Sequence, residues 1–194
     1  MNMVFKDNPY LFSMHLPQMQ QDERIITKHA VDQFNQKMDN SKGYNVHLDK
    51  TPELSRLWRV FIGICNTYFT NLTLKENDVK YSEVWAYVQN KERYSSIWHN
   101  HITSASINAV YYPNVPDPTG TLSIILNSGE EAEVPIKQGY IYLFPGWLIH
   151  KPNPQKNSYE PRVSINLELL TTTRPIISKE ITSLIHPLYQ EIMW

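Results

Sequence analysis

The sequence predicts an α+β domain that is mainly β, with an all-β sandwich or barrel as its main body, and three observations lead there. Two amphipathic helical stripes lie in the first third of the chain. From Val79 onward the pattern changes to short runs rich in aromatic and β-branched residues, separated by Pro, Gly and Asn clusters. With 194 residues the chain suffices for one sizeable core and is short for two, so helices first and strands afterwards belong to a single domain.

The elements follow in order. Ile25, Ile26, Ala30, Val31 and Phe34 give Asp22 to Met38 one apolar face, and the loop-like "DNSKGY" follows it. Thr51-Pro52-Glu53 opens a second helix, with Thr51 as N-cap and Pro52 at the first helical position. Its stripe of Leu54, Leu57, Trp58, Phe61, Ile62, Cys65, Tyr68 and Phe69 is suited to packing on a sheet. Strands are predicted over "VKYSEVWAYVQ" (Val79 to Gln89), Ser104 to Tyr112, Gly120 to Leu126, Gly139 to Phe144 and Arg162 to Leu170. Three regions result: a helical support over 1–75, a β core over 79–170 and an extension over 171–194 with a last helix broken near Pro187.

Composition narrows the function. A hydrophobic fraction of 41%, a charged fraction of 19% and a net charge of −1 give a globular chain with no electrostatic footprint for duplex nucleic acid or anionic lipid. Apolar runs are too short to span a bilayer, and "MNMVFKDNPYLF" lacks the succession of a secretory signal, so a cytoplasmic protein is expected, in the host cytoplasm if viral. The single cysteine, Cys65, lies on the apolar stripe of the second helix, the setting of an inert buried thiol.

The residues that carry chemistry are histidines and one arginine. In "SSIWHNHITSASINAVYYP", His99 and His101 lie two apart, so in extended chain they project to one side, about 6.6 Å apart along the backbone. His150 ends "GYIYLFPGWLIH" after a tight Pro145-Gly146 turn and is the candidate third ligand. Satisfied loop or core histidines are the competing reading of the same spacing. In "RVSINLELL", Arg162, Ser164 and Asn166 share one strand face, where an arginine with a hydroxyl two residues on makes a seat for a carboxylate; a rim ion pair with Glu160 or Glu168 is the alternative.

The order of these pieces, with Gly120, Pro135 and Gly139 between them and "LFPGWLIHKPNP" leading on to "RVSIN", resembles the 2-oxoglutarate and Fe(II)-dependent oxygenases. The branch most like it comprises small oxygenases of phages and marine bacteria, related in layout to prolyl hydroxylases, and the likeness spans Glu83 to Glu168. The resemblance implies a double-stranded β-helix, a cupin-like jelly roll with helices on the outside of one sheet. It implies Fe(II) held by His99, His101 and His150, and 2-oxoglutarate held by Arg162 and Ser164, with Asn108, Tyr112 and Asn166 beside it. Asn108 and Tyr112, two even-numbered positions, share one face of their strand and are taken as its inward side. O2 would be the cosubstrate, and Trp98 and Trp147 flank the ligands as candidate walls of the substrate pocket.

One departure stands out, because the superfamily uses two histidines and a carboxylate where this chain has His101. Three histidines are the first reading of the site; Thr103 at the carboxylate place, or a distant acid such as Asp117, are the others. The activity implied is hydroxylation of a C–H bond on a protein side chain or a small molecule, with release of succinate and CO2. The competing classes are an inactive β-sandwich binding module and a three-histidine cupin-like metalloenzyme that does not use 2-oxoglutarate.

Overall fold

A computed structural model describes residues 2–5, 8–37, 45–74, 84–172 and 175–176. The first helix, α1 (Glu23–Lys37), buries Ile26, Ala30 and Phe34, three points of the predicted stripe. The second, α2 (Pro52–Tyr68), begins where its capping residues predict: the Thr51 side chain accepts a hydrogen bond from the Leu54 amide at 3.2 Å, and Pro52 occupies the first turn. Its buried face is Leu54, Leu57, Trp58, Phe61, Ile62, Ile64 and Cys65. Arg56 ties the helices together by donating from Nη1 to both carboxylate oxygens of Asp22, at 3.0 and 2.8 Å.

Among the described residues ten strands make two antiparallel sheets. They are β1 (Asn2–Phe5), β2 (Asn8–His15), β3 (Asn45–His47), β4 (Val84–Gln89), β5 (Ile107–Asn114), β6 (Thr121–Ile125), β7 (Glu131–Pro135), β8 (Tyr140–Pro145), β9 (His150–Pro152) and β10 (Arg162–Leu169). The large sheet has the order β1-β2-β8-β5-β10-β4-β3 and the small one β7-β6-β9. Alternation along the central strands divides their side chains between two cores. Ile107, Ala109, Tyr111, Ile141, Leu143, Val163, Ile165 and Leu167 join the cluster under α1 and α2. Val110, Tyr112, Tyr142 and Phe144 join Leu122, Ile124 and Val134 of the small sheet. Helices, large sheet and small sheet are therefore three successive layers, with a second core enclosed between the sheets.

Several expectations are corrected in detail. The strand predicted from Ser104 starts at Ile107, because the amides of Ser104 and Ala105 both donate to the His101 carbonyl and close a turn there. The N-terminal region is not helical support alone: β1, β2 and β3 contribute three strands to the large sheet. These strands are recruited by distant partners, as β2 pairs Phe12 with Leu143 and Met14 with Ile141. Of the strand predicted over 79–89, residues 84–89 are strand, while 79–83 and the predicted C-terminal helix lie outside the described residues. Among the described residues no helix is long and apolar enough to cross a membrane.

Candidate metal centre

His150 opens β9 opposite Ile124 of β6, and directly opposed residues of an antiparallel pair share a face. Since Ile124 belongs to the core between the sheets, His150 points inward and is 3% exposed. His99 is then brought to it by an isolated antiparallel bridge, with amide-to-carbonyl bonds of 3.0 Å from His99 to His150 and 2.9 Å in return. Two residues on, the His101 amide donates to the Gly146 carbonyl at 2.6 Å, so the Pro145-Gly146 turn holds the third histidine beside the other two. The one ligand atom offered by each of His99, His101 and His150 lies within 4.8 Å of the others.

The ring nitrogens are sorted by their outer partners. Nδ1 of His99 faces the Ile97 carbonyl at 2.8 Å and Nδ1 of His150 the Leu148 carbonyl at 2.9 Å. Carbonyl oxygens only accept, so both Nδ1 atoms carry the proton and each Nε2 keeps its lone pair. Nδ1 of His101 meets Oε1 of Glu168 at 2.9 Å, and its buried Nε2 has no hydrogen-bond partner. Burial, and then the charge that His99 would carry, push the His150 pKa down to about 3; burial likewise lowers that of His99. Both rings stay neutral near pH 7 and present unprotonated nitrogens, the form that metals bind.

A second feature runs from Glu168 along β10. Arg162, Ser164, Asn166 and Glu168 all turn their side chains away from the helix-side core and are buried. The Arg162 guanidinium donates to the Asn153 carbonyl at 2.7 Å and to Oε1 of Gln89 at 2.6 Å, and forms no salt bridge among the described residues. Neither ion-pair partner weighed from sequence pairs with Arg162 among the described residues: Glu168 holds His101, and Glu160 is exposed. Both side-chain polar atoms of Asn108, which faces Glu168 across the ladder, and Nδ2 of Asn166 are buried without partners. Each orphan of this kind costs about 1–3 kcal/mol, so the lane is chemically suited to a small polar ligand.

The remaining predicted positions fall as follows. Tyr112 lies in the core between the sheets, near enough to Arg162 that each feels the other's charge, while its neighbour Tyr111 lies under the helices. Trp98 is 36% exposed and carries the Lys151 ammonium 4.4 Å above its ring. By alternation from His99 it belongs to the outer side of the small sheet. Trp147 packs against both apolar clusters. Asp117 is spent on a loop: its Oδ1 accepts from the Thr119 amide and hydroxyl and its Oδ2 from the Asn157 amide. Sequence reasoning missed Glu168, Trp85 and Gln89. The signal for Glu168 was present, since it continues the even-numbered face of Arg162, Ser164 and Asn166.

No protein-family model and no curated protein sequence matches the chain. Solved structures do resemble it. A prolyl-4-hydroxylase from Pseudomonas putida superposes with a TM-score of 0.62 at 14% identity over 82% of this chain and 92% of that one. SnoK, a non-heme alpha ketoglutarate dependent carbocyclase from nogalamycin biosynthesis, gives 0.58 at 12% identity over 84% and 80%. A viral collagen prolyl hydroxylase from Paramecium Bursaria Chlorella virus-1 gives 0.56 at 9% identity over 84% and 90%. At such identities the likeness establishes the fold: the structural neighbours are 2-oxoglutarate and iron oxygenases, and the two facing sheets are consistent with their jelly roll.

Proposed function

We propose that the protein is a 2-oxoglutarate- and Fe(II)-dependent oxygenase, built on a double-stranded β-helix, that hydroxylates a C–H bond. The observation that carries this reading is the lane of β10: at one end a buried arginine that forms no salt bridge among the described residues, and at the other a glutamate gripping one of three convergent histidines. A buried guanidinium in no direct ion pair is costly, with only the more distant charge of Asp117 acting on it, and a dicarboxylate reaching from the metal to Arg162 would relieve that cost.

The donor set fits the group. Imidazole nitrogen suits Fe(II), and three such donors would leave room on the ion for a cosubstrate. His99, His101 and His150 would hold the ion. Arg162 binds the far carboxylate, with the Ser164 hydroxyl two residues on and the amides of Asn108 and Asn166 as further donors. Phe144, in contact with His150 at a ring separation of 4.7 Å, and Tyr112 exclude water from the inner end. Bound iron and 2-oxoglutarate together supply an oxidant strong enough to take a hydrogen atom from carbon, with succinate and CO2 as co-products. The substrate class is a protein side chain or a small molecule, and dioxygen is the second cosubstrate.

A second reading has one specific observation in its favour. Three histidines without a carboxylate ligand also suit a cupin-like metalloenzyme that ignores 2-oxoglutarate. The two separate on Arg162→Ala, measured by titrating 2-oxoglutarate calorimetrically into the Mn(II)-loaded protein under anaerobic conditions. The oxygenase reading predicts binding by the wild type and a loss of about 2 kcal/mol or more, roughly thirtyfold, in the variant with metal retained. A wild type that binds Mn(II) but gives no 2-oxoglutarate signal supports the cupin-like reading instead.

A further inference from the structure

The three histidines are not equivalent. Behind His99 and His150 stand neutral backbone carbonyls, and behind His101 stands a carboxylate, Oε1 of Glu168, at 2.9 Å. That same oxygen accepts the indole proton of Trp85 at 3.0 Å. Indole nitrogen can only donate, so Oε1 must be an acceptor, and the proton between Glu168 and His101 sits on Nδ1 of the ring. Nε2 of His101 thereby keeps its lone pair, and the His99 and His150 rings stand with centroids 5.2 Å from its own. Glu168 and His101 are 6% and 7% exposed, so the pair lies in a region where a charge is poorly screened.

From this geometry we infer that Glu168 is the positioning residue of the metal centre, which delivers through the His101 ring the negative charge that a carboxylate ligand at position 101 would bring directly. A carboxylate that accepts from Nδ1 makes the opposite nitrogen a stronger ligand and locks the orientation of the ring, and such outer partners are worth 10–100-fold in metal affinity. The trio Glu168, His101 and Trp85 is assembled from three separate pieces of chain. β10 brings Glu168, β4 brings Trp85 through the pairing of Asn166 with Trp85, and the turn closed on Gly146 brings His101. Glu168 therefore accounts for the departure at position 101: the charge stays, one ring further from the metal.

The inference rests on the reading of the three histidines as a metal site, and the test separates the two. The apo-protein is titrated anaerobically with Co(II) alone, following its visible absorption in competition with a chelator, for wild type, Glu168→Gln, His101→Asn and the double variant. Asparagine at 101 keeps an amide donor toward Glu168 and removes the distal ring nitrogen. We expect Glu168→Gln to weaken Co(II) by 10–100-fold and to alter the Co(II) spectrum in the wild-type background, yet to change affinity less than twofold in the His101→Asn background, because its effect passes through that ring. Thermal melting of each apo-protein reads any purely structural contribution, which would lower the melting temperature without changing Co(II) affinity.

A wild type that binds no Co(II) overturns the metal reading and the inference with it. Unchanged affinity in Glu168→Gln, or an equal loss in both backgrounds, overturns the inference alone and leaves the three-histidine site standing. Should Glu168→Gln not fold, Trp85→Phe takes its place. Loss of the indole donor frees the carboxylate to rotate and is expected to cost several-fold in Co(II) affinity; no change would overturn the inference.

Discussion

Gly146 is the position where one added carbon should do most damage to the centre. A Cβ at this position would lie 1.8 Å from the Ala105 carbonyl oxygen and 2.8 Å from its carbon, against about 3.4 Å for ordinary contact. The two backbones must therefore separate by about 1.6 Å in Gly146→Ala. They cannot do so freely. The His101 amide donates to the Gly146 carbonyl, the Gly146 amide to the Ser106 carbonyl and the Ala105 amide to the His101 carbonyl, at 2.6, 3.1 and 2.8 Å. Losing one or two of these bonds at about 1 kcal/mol each, with overpacking of about 1–3 kcal/mol, gives a destabilisation of roughly 2–5 kcal/mol. For a domain of this size that is a melting-temperature fall of roughly 5–15 °C. His101 moves with the turn, and a displacement of more than 1 Å in a site residue costs on the order of a hundredfold in function. Differential scanning fluorimetry of the apo-protein and a Co(II) titration read the two effects. A variant melting within 2 °C of wild type and binding Co(II) equally would refute the view that this turn sets the place of His101.

Three further outcomes follow from particular contacts. A Cβ at Gly120 would fall 2.5 Å from Nη1 of Arg162, so Gly120→Ala should displace the guanidinium and weaken 2-oxoglutarate binding about tenfold or more while leaving Co(II) affinity unchanged, as calorimetry would reveal. Thr51→Ala removes the cap of α2 and should cost about 1 kcal/mol, a fall of roughly 2–4 °C in melting temperature with no change in metal binding. Burial tends to raise the Asp117 pKa, but the hydrogen bonds from Thr119 and Asn157 outweigh it and hold the group at about 2. With its folded pKa depressed, Asp117 stabilises the fold fully above the ordinary aspartate value near 4, and that contribution fades as pH falls toward 2. The melting-temperature gap between wild type and Asp117→Asn should therefore narrow from pH 5 to pH 2; a constant gap would refute the assignment.

What the sequence discloses and what it hides follow the range of the interactions involved. The second helix is legible because Thr51, Pro52 and the stripe from Leu54 to Cys65 act within a few residues of each other. The pairing of His99 with His101 is legible for the same reason, since alternation is local. The place of His150 beside them rests on a bridge between residues 51 apart in sequence, and spacing alone left it a candidate. β2 escaped because its register is imposed by β8, more than a hundred residues downstream, and β1 because it pairs in turn on β2. The strand predicted from Ser104 lost its first three residues to a turn that the His101 carbonyl closes. Glu168 was weighed as a partner of Arg162, although its own parity already placed it on the inward face, because only the fold shows that His101 and Trp85 arrive at its carboxylate.

The account stands or falls on whether metal and keto acid meet at this site. The direct measurement is an anaerobic titration of the apo-protein with Fe(II) and then 2-oxoglutarate, following the visible charge-transfer absorption of a keto acid chelated to ferrous iron. The account predicts that one equivalent of each suffices for the band, that His150→Ala abolishes it, and that Arg162→Ala shifts it to much higher 2-oxoglutarate concentration. Iron bound with no band at saturating 2-oxoglutarate would contradict it.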